Sequence, residues 1–345
     1  MKKILLPVIL INTCAVGGAF AVPSHFYANG IVGHNIGIFQ HSIFQSAIDN
    51  LGNDKIYVGR VNKKQGANNI DMYGKMPVYG EYGDDGTVFG RSGGDVSNNG
   101  LWLSWNYASD YVKFDNLDKI DTRSNVAVAG TSSDFGRFGR LGAFAGYAGS
   151  KQSNASVGIN ENGGFIGIYN GYQFGRLKLN AMLDGGAISN KADTGIGSDS
   201  FSNIWLGAGV NASYDLVVDN TFVIQPVVYG MYTWVRTPNY TSVSGQTINS
   251  ENLSLFEIVP GVRFIKNVVG NWYGIASAKF VGLFDNAAKT KVDGVAIDDL
   301  TMGHYAEYGI SLEKRVYNFN ISVNINRRDG AYTGWNGGVN LKYLF

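Results

Sequence analysis

A strict alternation of apolar and polar residues near the C-terminus most constrains the fold of this chain. Residues 317–326 run Y-N-F-N-I-S-V-N-I-N, where every second residue is apolar and the residues between are small and polar. Because side chains alternate between the two faces of a β-strand, this segment has one apolar and one hydrophilic face. The same alternation recurs from Gly100 to the terminal Phe345, which predicts an all-β structure with many similar strands.

The alternation predicts twelve antiparallel strands. A soluble sandwich or secreted barrel is the alternative, but strands of ten or more residues argue against it, since soluble strands average about 5–6 residues. A closed transmembrane barrel, with lipid outside and a wet lumen inside, requires this pattern. The predicted strands lie near 100–109, 124–133, 138–149, 162–174, 176–189, 202–216, 220–236, 252–266, 271–284, 301–314, 316–326 and 335–345.

The connections between these strands are predicted to alternate between short and long. Short periplasmic turns that alternate with long outer loops are typical of outer-membrane barrels. Aromatic residues near strand ends predict girdles at the membrane interfaces; they are Trp102, Trp105, Trp234, Trp272, Tyr273 and Trp335. The tight turns are predicted at 174–176, 217–220, 267–270 and 314–315, and the long polar loops at 110–123, 150–161, 190–201, 237–251, 285–300 and 327–334.

The first residues have the features of a secretory signal peptide. Lys2 and Lys3 precede a short apolar run, and Ala19-Phe20-Ala21 fits the small-residue rule for cleavage after Ala21. Residues 1–21 are therefore predicted to be removed. Cys14, the single cysteine, lies inside this segment, so the mature chain is predicted to contain no thiol.

Residues 22–99 differ from the predicted barrel at 100–345. Apolar residues at helical spacing predict one helix over residues 42–51, with Ser42 as its N-cap and Gly52 as its stop. The rest of the segment is rich in Gly, Asn and Asp, and a turn at 80–86 suggests a short hairpin within a linker. This segment is predicted to be a domain unit separate from the barrel.

Charged residues in the middle of strands are predicted to line the pore, because they are costly in contact with lipid. They have mixed signs, which favours a network that rigidifies the wall over ion selectivity. The sequence contains no Ser-His-Asp pattern typical of an enzyme and no ligand spacing typical of a metal or cofactor site. His25, His34 and His41 are interpreted as exposed polar residues. A net charge of +1 gives no basis for nucleic-acid binding. The predicted pore-lining residues are Lys178, Asp184, Glu257, Arg263, Glu307 and Glu313.

Short motifs occur in a fixed order along the predicted strands. They are Gly100-Leu101-Trp102, L-G-A-F-A-G-Y at 141–147, Leu183-Asp184-Gly185-Gly186, Ile224-Gln225-Pro226, Pro260-Gly261-Val262-Arg263 and Ala306-Glu307-Tyr308-Gly309. In this order, they resemble the motifs of the autotransporter β-domain, the twelve-stranded translocator of type V secretion in Gram-negative bacteria. The final alternation of Val339, Leu341, Tyr343 and Phe345 looks like the C-terminal signal that the barrel-assembly machinery recognises.

The resemblance implies a monomeric barrel in outer-membrane lipid, delivered with the help of periplasmic chaperones. A helix before the first strand threads the pore of such barrels, and the N-terminal passenger reaches the cell surface. Two features depart from the family pattern: no long repetitive passenger precedes the predicted helix, and the helix is far from Gly100. The chain is therefore expected to display a short or vestigial segment. A porin-like channel, or an adhesin or antigen that acts through its outer loops, is the alternative.

Overall fold

The computed structural model describes residues 24–52, 56–60, 80–82, 87–91, 99–135, 139–219 and 221–345. A 3-10 helix, Ser24–Tyr27, continues directly into helix α1, Ala28–Gly52. Three short strands follow, β1 (Ile56–Arg60), β2 (Gly80–Tyr82) and β3 (Thr87–Arg91), in an antiparallel sheet of order β1-β3-β2. Strands β2 and β3 pair at the position of the predicted hairpin, whose turn residues 83–86 lie outside the described residues.

Twelve long strands then close into one antiparallel barrel, which confirms the predicted fold class. Register pairs from Tyr332↔Val112 to Leu344↔Gly100 join the last strand to the first. The strands after residue 99 are β4 (Gly100–Phe114), β5 (Leu117–Asp134), β6 (Arg140–Ser153), β7 (Gly158–Phe174), β8 (Leu177–Asp193), β9 (Ser198–Tyr214), β10 (Leu216–Asp219), β11 (Phe222–Arg236), β12 (Tyr240–Thr241), β13 (Thr247–Ser250), β14 (Leu253–Val269), β15 (Trp272–Asp285), β16 (Thr290–Val292), β17 (Val295–Ala296), β18 (Tyr305–Val316), β19 (Phe319–Gly330) and β20 (Tyr332–Leu344).

The two ends of the barrel differ in their connections. We call one end the short-turn side; it holds Asn99, Phe345 and the connections 135–139, 175–176, 215–221, 270–271 and 317–318. The other end, the long-loop side, includes the two longest connections, 237–252 and 286–304, whose strands β12, β13, β16 and β17 form a separate four-stranded sheet. Outer-membrane barrels place their short turns in the periplasm and their long loops outside the cell.

The prediction of long loops is wrong for four segments, because strands occupy most of each one. These segments are 110–123, 150–161, 190–201 and 327–334. Strands β4 and β5 are joined through residues 115–116, and β19 and β20 through residue 331. The predicted loops at 150–161 and 190–201 shrink to 154–157 and 194–197. These strands extend beyond the apolar band on the long-loop side. Their outer faces there include polar residues such as Arg123 and Lys151, so the alternation that marks the lipid-facing part disappears.

Apolar side chains cover the outer wall, as the alternation predicts. In β19, Phe319, Ile321, Val323 and Ile325 are 41–52% exposed, whereas Tyr317 lies in the turn before this strand, with a positive φ of 51°. An outer surface of this kind is suited to lipid.

Large aromatic rings on the lumen side lie over glycines of neighbouring strands. Trp102 is 3% exposed and faces the lumen, so its predicted place in an interfacial girdle is wrong. A Cβ atom at Gly130 would lie 2.5 Å from the Trp102 ring, and one at Gly186 would lie 2.3 Å from the Trp205 ring. These rings fit only because the glycines beneath them have no side chain. This accounts for part of the high glycine content.

Helix α1 lies inside the barrel. Its 25 residues give a length of about 37 Å, more than the roughly 30 Å of a bilayer's hydrocarbon core. The helix begins well before the predicted Ser42, which lies in its middle, and it includes the predicted stop residue Gly52. Because the wall surrounds the helix, its buried positions do not form a single apolar stripe, so periodicity detected only its C-terminal part. None of the helices in the described ranges has the length and hydropathy needed to cross a membrane.

Candidate functional site

The occupied pore is the candidate functional site, and helix α1 runs through it in a defined direction. Near its N-terminal end, Ser24 lies beside Asn154 and Ser156 of the long-loop side, at Oγ distances of 3.1 and 2.7 Å. Near its C-terminal end, the Lys342 ammonium donates to the carbonyl oxygen of Asn50, and Lys342 is close to the short-turn end of β20. The helix therefore extends from the long-loop mouth to the short-turn side.

A glycine face of α1 allows the helix to approach one part of the wall closely. A Cβ atom at Gly33 would lie 2.8 Å from Leu253 Cδ2, and one at Gly37 would lie 2.6 Å from Leu255 Cδ1. Both contacts are shorter than any real Cβ contact tolerates without movement. Glycine at these two positions lets the backbone of the helix pack directly on the leucines of β14.

Two histidines join the helix to wall carboxylates. His34 Nε2 lies 2.8 Å from Asp285 Oδ2, and His41 Nδ1 lies 2.9 Å from Glu257 Oε2. The other ring nitrogen of His34 lies 2.8 Å from the carbonyl oxygen of Gly30. Both ring nitrogens of His34 therefore lie within hydrogen-bond distance of an oxygen atom. The interpretation of these histidines as exposed is wrong, because both are at most 1% exposed.

Buried amides of the helix meet buried carboxylates of the opposite wall. Asn35 Nδ2 donates to Glu161 Oε2 at 2.6 Å, and Gln40 Nε2 donates to Asp184 Oδ1 at 2.8 Å. Glu161 also accepts a hydrogen bond from Gln152. Because the desolvation of a carboxylate is costly unless donors compensate it, these contacts position the helix along its axis and fix its rotation.

The mouth on the long-loop side is closed over the beginning of the helix. Phe26 packs against Ile248 and Val292 of the four-stranded sheet, and Asn29 Nδ2 donates to the Pro238 carbonyl oxygen at 2.9 Å. At this mouth, burial lowers the pKa of His25 below its usual 6.5, partly opposed by the negative charge of Asp199. The neutral form of this imidazole is therefore favoured in the closed mouth.

A charged network lies within the wall beside the helix. Arg328 donates to Asp110 and Glu307 at 2.9 Å each, and Lys279 donates to Glu307 at 2.8 Å. Arg328, Asp110 and Glu307 are at most 7% exposed. Buried pairs of this kind are costly to break, because one charge then remains without its partner. The opposite charges of this network are thus paired with one another, and the rigidifying role of the mixed charges stays a prediction.

The helix does not fill the pore evenly. Its packing is most extensive on strands β4–β9, β11 and β14. A polar cavity of about 100 Å³ remains between Ser42 and Asp49 on the helix and Ser322 and Asn324 on β19. Side chains that line it can hold water or small ions next to the helix.

The predicted pore-lining residues are all placed with polar partners. Arg263 Nη1 lies 3.4 Å from Asp49 on the helix, and Lys178 Nζ lies 2.8 Å from Asp215. Glu313 accepts a hydrogen bond from Asn320 Nδ2 at 2.9 Å. Asp184, Glu257 and Glu307 have the partners described above. Three of these residues, Asp184, Glu257 and Arg263, contact the helix directly.

Sequence reasoning missed several residues of the same site. Asp110 and Arg328 fall in segments predicted as loops, where the apolar–polar alternation is lost. The spacing of residues in the sequence does not mark Lys279 or Glu161 as a site residue. The helix residues Asn35 and Gln40 precede the predicted start of the helix. An amide or imidazole at helical spacing upstream of residue 42 is the signal that could have extended the helix.

The predicted processing and assembly residues have different outcomes. The cleavage residue Ala21 lies outside the described residues. Val339, Leu341 and Tyr343 lie on the outer face of β20, and Phe345 follows that strand; all four are 38–51% exposed. No group of three metal-binding side chains occurs within the residues that the structure describes.

Comparison with known proteins identifies the architecture. The family model described as autotransporter beta-domain matches residues 96–338. The transport unit of the autotransporter AIDA-I from Escherichia coli is similar, with a TM-score of 0.62 and 16% identity over 71% of this chain and 90% of that chain. The translocator domain of NalP from Neisseria meningitidis has a TM-score of 0.62 and 12% identity, covering 72% and 88% of the two chains. The β domain of the Bordetella autotransporter BrkA has a TM-score of 0.59 and 12% identity, covering 72% and 99%. No curated protein sequence matches this chain.

Proposed function

This chain belongs to the autotransporter β-domain family, and we propose that it is an outer-membrane translocator that keeps its own helix in the pore and displays the segment upstream of that helix. The family is a secretion domain rather than a catalytic one. The part placed at the cell surface is the N-terminus of the mature chain: with residues 1–21 removed, only Val22 and Pro23 precede Ser24.

The direction of helix α1 carries this proposal. Ser24 lies among residues of the long-loop side, and Asn50 lies near Lys342 at the opposite end. A chain that was pulled outward through the pore with its N-terminus on the outer side would stop in this arrangement. The contacts of His34, His41 and Gln40 with the wall then hold the helix in place.

The position of the connection between the helix and the barrel indicates which part of the chain is displayed at the cell surface. It begins at Gly52 and ends at Asn99, and both ends lie on the short-turn side. In the orientation typical of outer-membrane barrels, Gly52 and Asn99 would both lie toward the periplasm. Display of the mature N-terminus alone is therefore favoured over display of the whole of residues 22–99.

Epitope tags on intact cells test this topology. One variant has a tag between Val22 and Pro23, and the matched control has the same tag between Gly93 and Gly94. We expect antibody to stain intact cells of the first variant, and to reach the second tag only after the outer membrane is permeabilised. Staining of the 93–94 tag on intact cells, or no staining of the 22–23 tag in cells that contain folded barrel, would contradict the proposal.

A porin-like channel is the second candidate, and the polar cavity beside the helix favours it. The cavity lies next to Ser322 and Asn324, so water and small ions could pass if it extends between both mouths. Planar-bilayer recording from purified protein separates the candidates. Steady conductance that a Ser322→Leu substitution lowers would support a channel, whereas conductance that rises only when residues 28–52 are deleted would support a plugged translocator.

We further propose that the barrel-assembly machinery recognises the alternating residues of β20 and Phe345, after periplasmic chaperones deliver the chain as a monomer. Leu341 and Tyr343 present an apolar surface on the strand that closes the barrel against β4. An adhesin or antigen function would use the exposed four-stranded sheet of the long loops. Binding of host cells that is lost when residues 240–248 are replaced by a Gly-Ser linker would favour that function over display alone.

A further inference from the structure

A row of cations lies on the outer wall near the long-loop side. Arg123 on β5 is directly opposite Lys151 on β6. Lys151 is opposite Asn160 on β7, which in turn is opposite Lys191 on β8. All three cationic side chains are exposed and point away from the lumen. Adjacent strands are about 4.8 Å apart, so the row covers roughly 15 Å of the wall.

The charges of this row lack strong compensation by the protein. Neither Arg123 nor Lys151 forms an ion pair with any residue in the part of the chain that the structure describes. Lys191 has a distant contact of 3.9 Å with Asp193, and both of those side chains are more than half exposed. Like charges directly opposite each other destabilise a sheet. An anion from outside the protein would therefore bind favourably beside the row.

A shallow depression in the same wall adjoins the row. It has a volume of about 420 Å³, and Lys191 lies at its edge. The outward side chains around it are small amides and hydroxyls: Asn160, Asn162, Ser189, Ser200 and Ser202. Such groups can donate to and accept from sugar hydroxyls, and they would be unfavourable in contact with acyl chains.

Aromatic residues place the row relative to the membrane. Tyr147 lies on the same face of β6 as Lys151 but nearer the short-turn side. It is 47% exposed and donates to Asn162 Oδ1 at 2.5 Å. Tyr107 on β4 is 39% exposed. Tyrosine and tryptophan concentrate at the level of lipid headgroups. The cations and the depression therefore lie at or just above the headgroups of the outer leaflet.

We propose that this part of the wall binds the phosphorylated sugar headgroup of an outer-leaflet glycolipid. Arg123, Lys151 and Lys191 would contact its phosphates, and the amides and hydroxyls of the depression would contact its sugar hydroxyls. The cations supply the attraction, while the depression selects a sugar headgroup over a simple phosphate ester. This inference needs a barrel in the outer membrane but not the display of any segment, so its failure and the failure of the proposed function are distinguishable.

Lipid titration of the purified full chain in detergent, followed by native mass spectrometry, tests the site. The probes are diphosphorylated lipid A, its monophosphorylated form and phosphatidylglycerol. The triple variant Arg123→Gln/Lys151→Gln/Lys191→Gln removes the row. The matched control, Lys266→Gln/Lys314→Gln, removes two cations from the short-turn side. Gel mobility without heating verifies that each barrel is folded.

We expect the wild-type protein and the control to bind diphosphorylated lipid A at least tenfold more tightly than the triple variant. The monophosphorylated lipid should bind with intermediate affinity, and phosphatidylglycerol at least tenfold more weakly than lipid A. A Ser200→Leu substitution in the depression should weaken lipid A and leave phosphatidylglycerol unchanged. Equal binding by the triple variant would overturn the site, and equal binding of phosphatidylglycerol would overturn its selectivity for a sugar headgroup.

Discussion

The imidazole of His41, in the middle of the pore helix, lies 2.9 Å from the carboxylate of Glu257 on strand β14. Both residues are at most 2% exposed, so bulk solvent competes little with this contact. This contact, together with that of Gln40 with Asp184, fixes the helix near the middle of the barrel. The stability of the barrel and the position of the helix should therefore depend on the same residues.

Replacement of Glu257 by Ala should destabilise the protein by about 1–3 kcal/mol, because His41 would keep its buried polar ring without a partner. The free energy of unfolding in urea, followed by tryptophan fluorescence in lipid vesicles, measures the effect. The double variant His41→Leu/Glu257→Leu should recover much of the loss, since both polar groups are then removed. Glu251→Ala, in an exposed loop, is the control and should change little. A single Glu257→Ala variant as stable as wild type would show that the contact does not hold the helix.

A larger side chain at Gly37 should displace the helix from β14. Leucine at this position would collide with Leu255, whose Cδ1 atom lies 2.6 Å from the place of a Cβ. Overpacking of this kind costs about 1–3 kcal/mol. Urea unfolding of Gly37→Leu should show that loss, and the second substitution Leu255→Ala should restore part of it.

Ser42 provides the matched position for this experiment, because it lies on the same helix but lines the polar cavity. Ser42→Leu should be tolerated with much smaller loss of stability than Gly37→Leu. Equal losses for the two variants would mean that the helix is packed evenly on all sides.

The barrel could be predicted from the sequence because lipid imposes a pattern that each strand repeats independently. Val323 and Ile325 on β19 show the alternation without reference to any other strand. The helix could be predicted only in part. Its early residues, such as Asn35 and His34, face polar groups of the wall, and this pairing depends on strands more than a hundred residues away. Periodicity within the helix contains no record of those partners.

The ends of the strands show the same limit. Asp110 and Arg328 lie in segments where the alternation with an apolar outer face is lost: beside Asp110, the apolar Val112 and Phe114 face the lumen. The ion pair of Asp110 with Arg328 joins strands from opposite ends of the chain and exists because β20 closes the barrel between them. Predicting the network therefore requires the register of the closed sheet, which local patterns do not supply.

Acidification should loosen the mouth at the start of the helix. Burial lowers the pKa of His25 in the folded state below 6.5, so the folded mouth binds fewer protons than the open one. Its contribution to stability is present above about pH 6.5 and declines as the pH falls below that value. Hydrogen exchange of the 24–30 segment, corrected for intrinsic rates, should be faster near pH 5 than near pH 8. His25→Asn should remove this difference, and a difference that persists in that variant would assign it to another group.

Two neighbouring arginines on β19 should differ sharply in their importance for stability. Arg328 is 3% exposed and pairs with both Asp110 and Glu307, whereas Arg327 lies on the outer face and pairs with the half-exposed Asp329. Arg328→Met should cost about 3–5 kcal/mol, because it leaves Asp110 buried without its cation. Arg327→Met should cost less than about 1 kcal/mol, as exposed pairs do. Urea unfolding of both variants in the same vesicles measures the difference, and similar losses would mean that the buried network contributes no more than a surface pair.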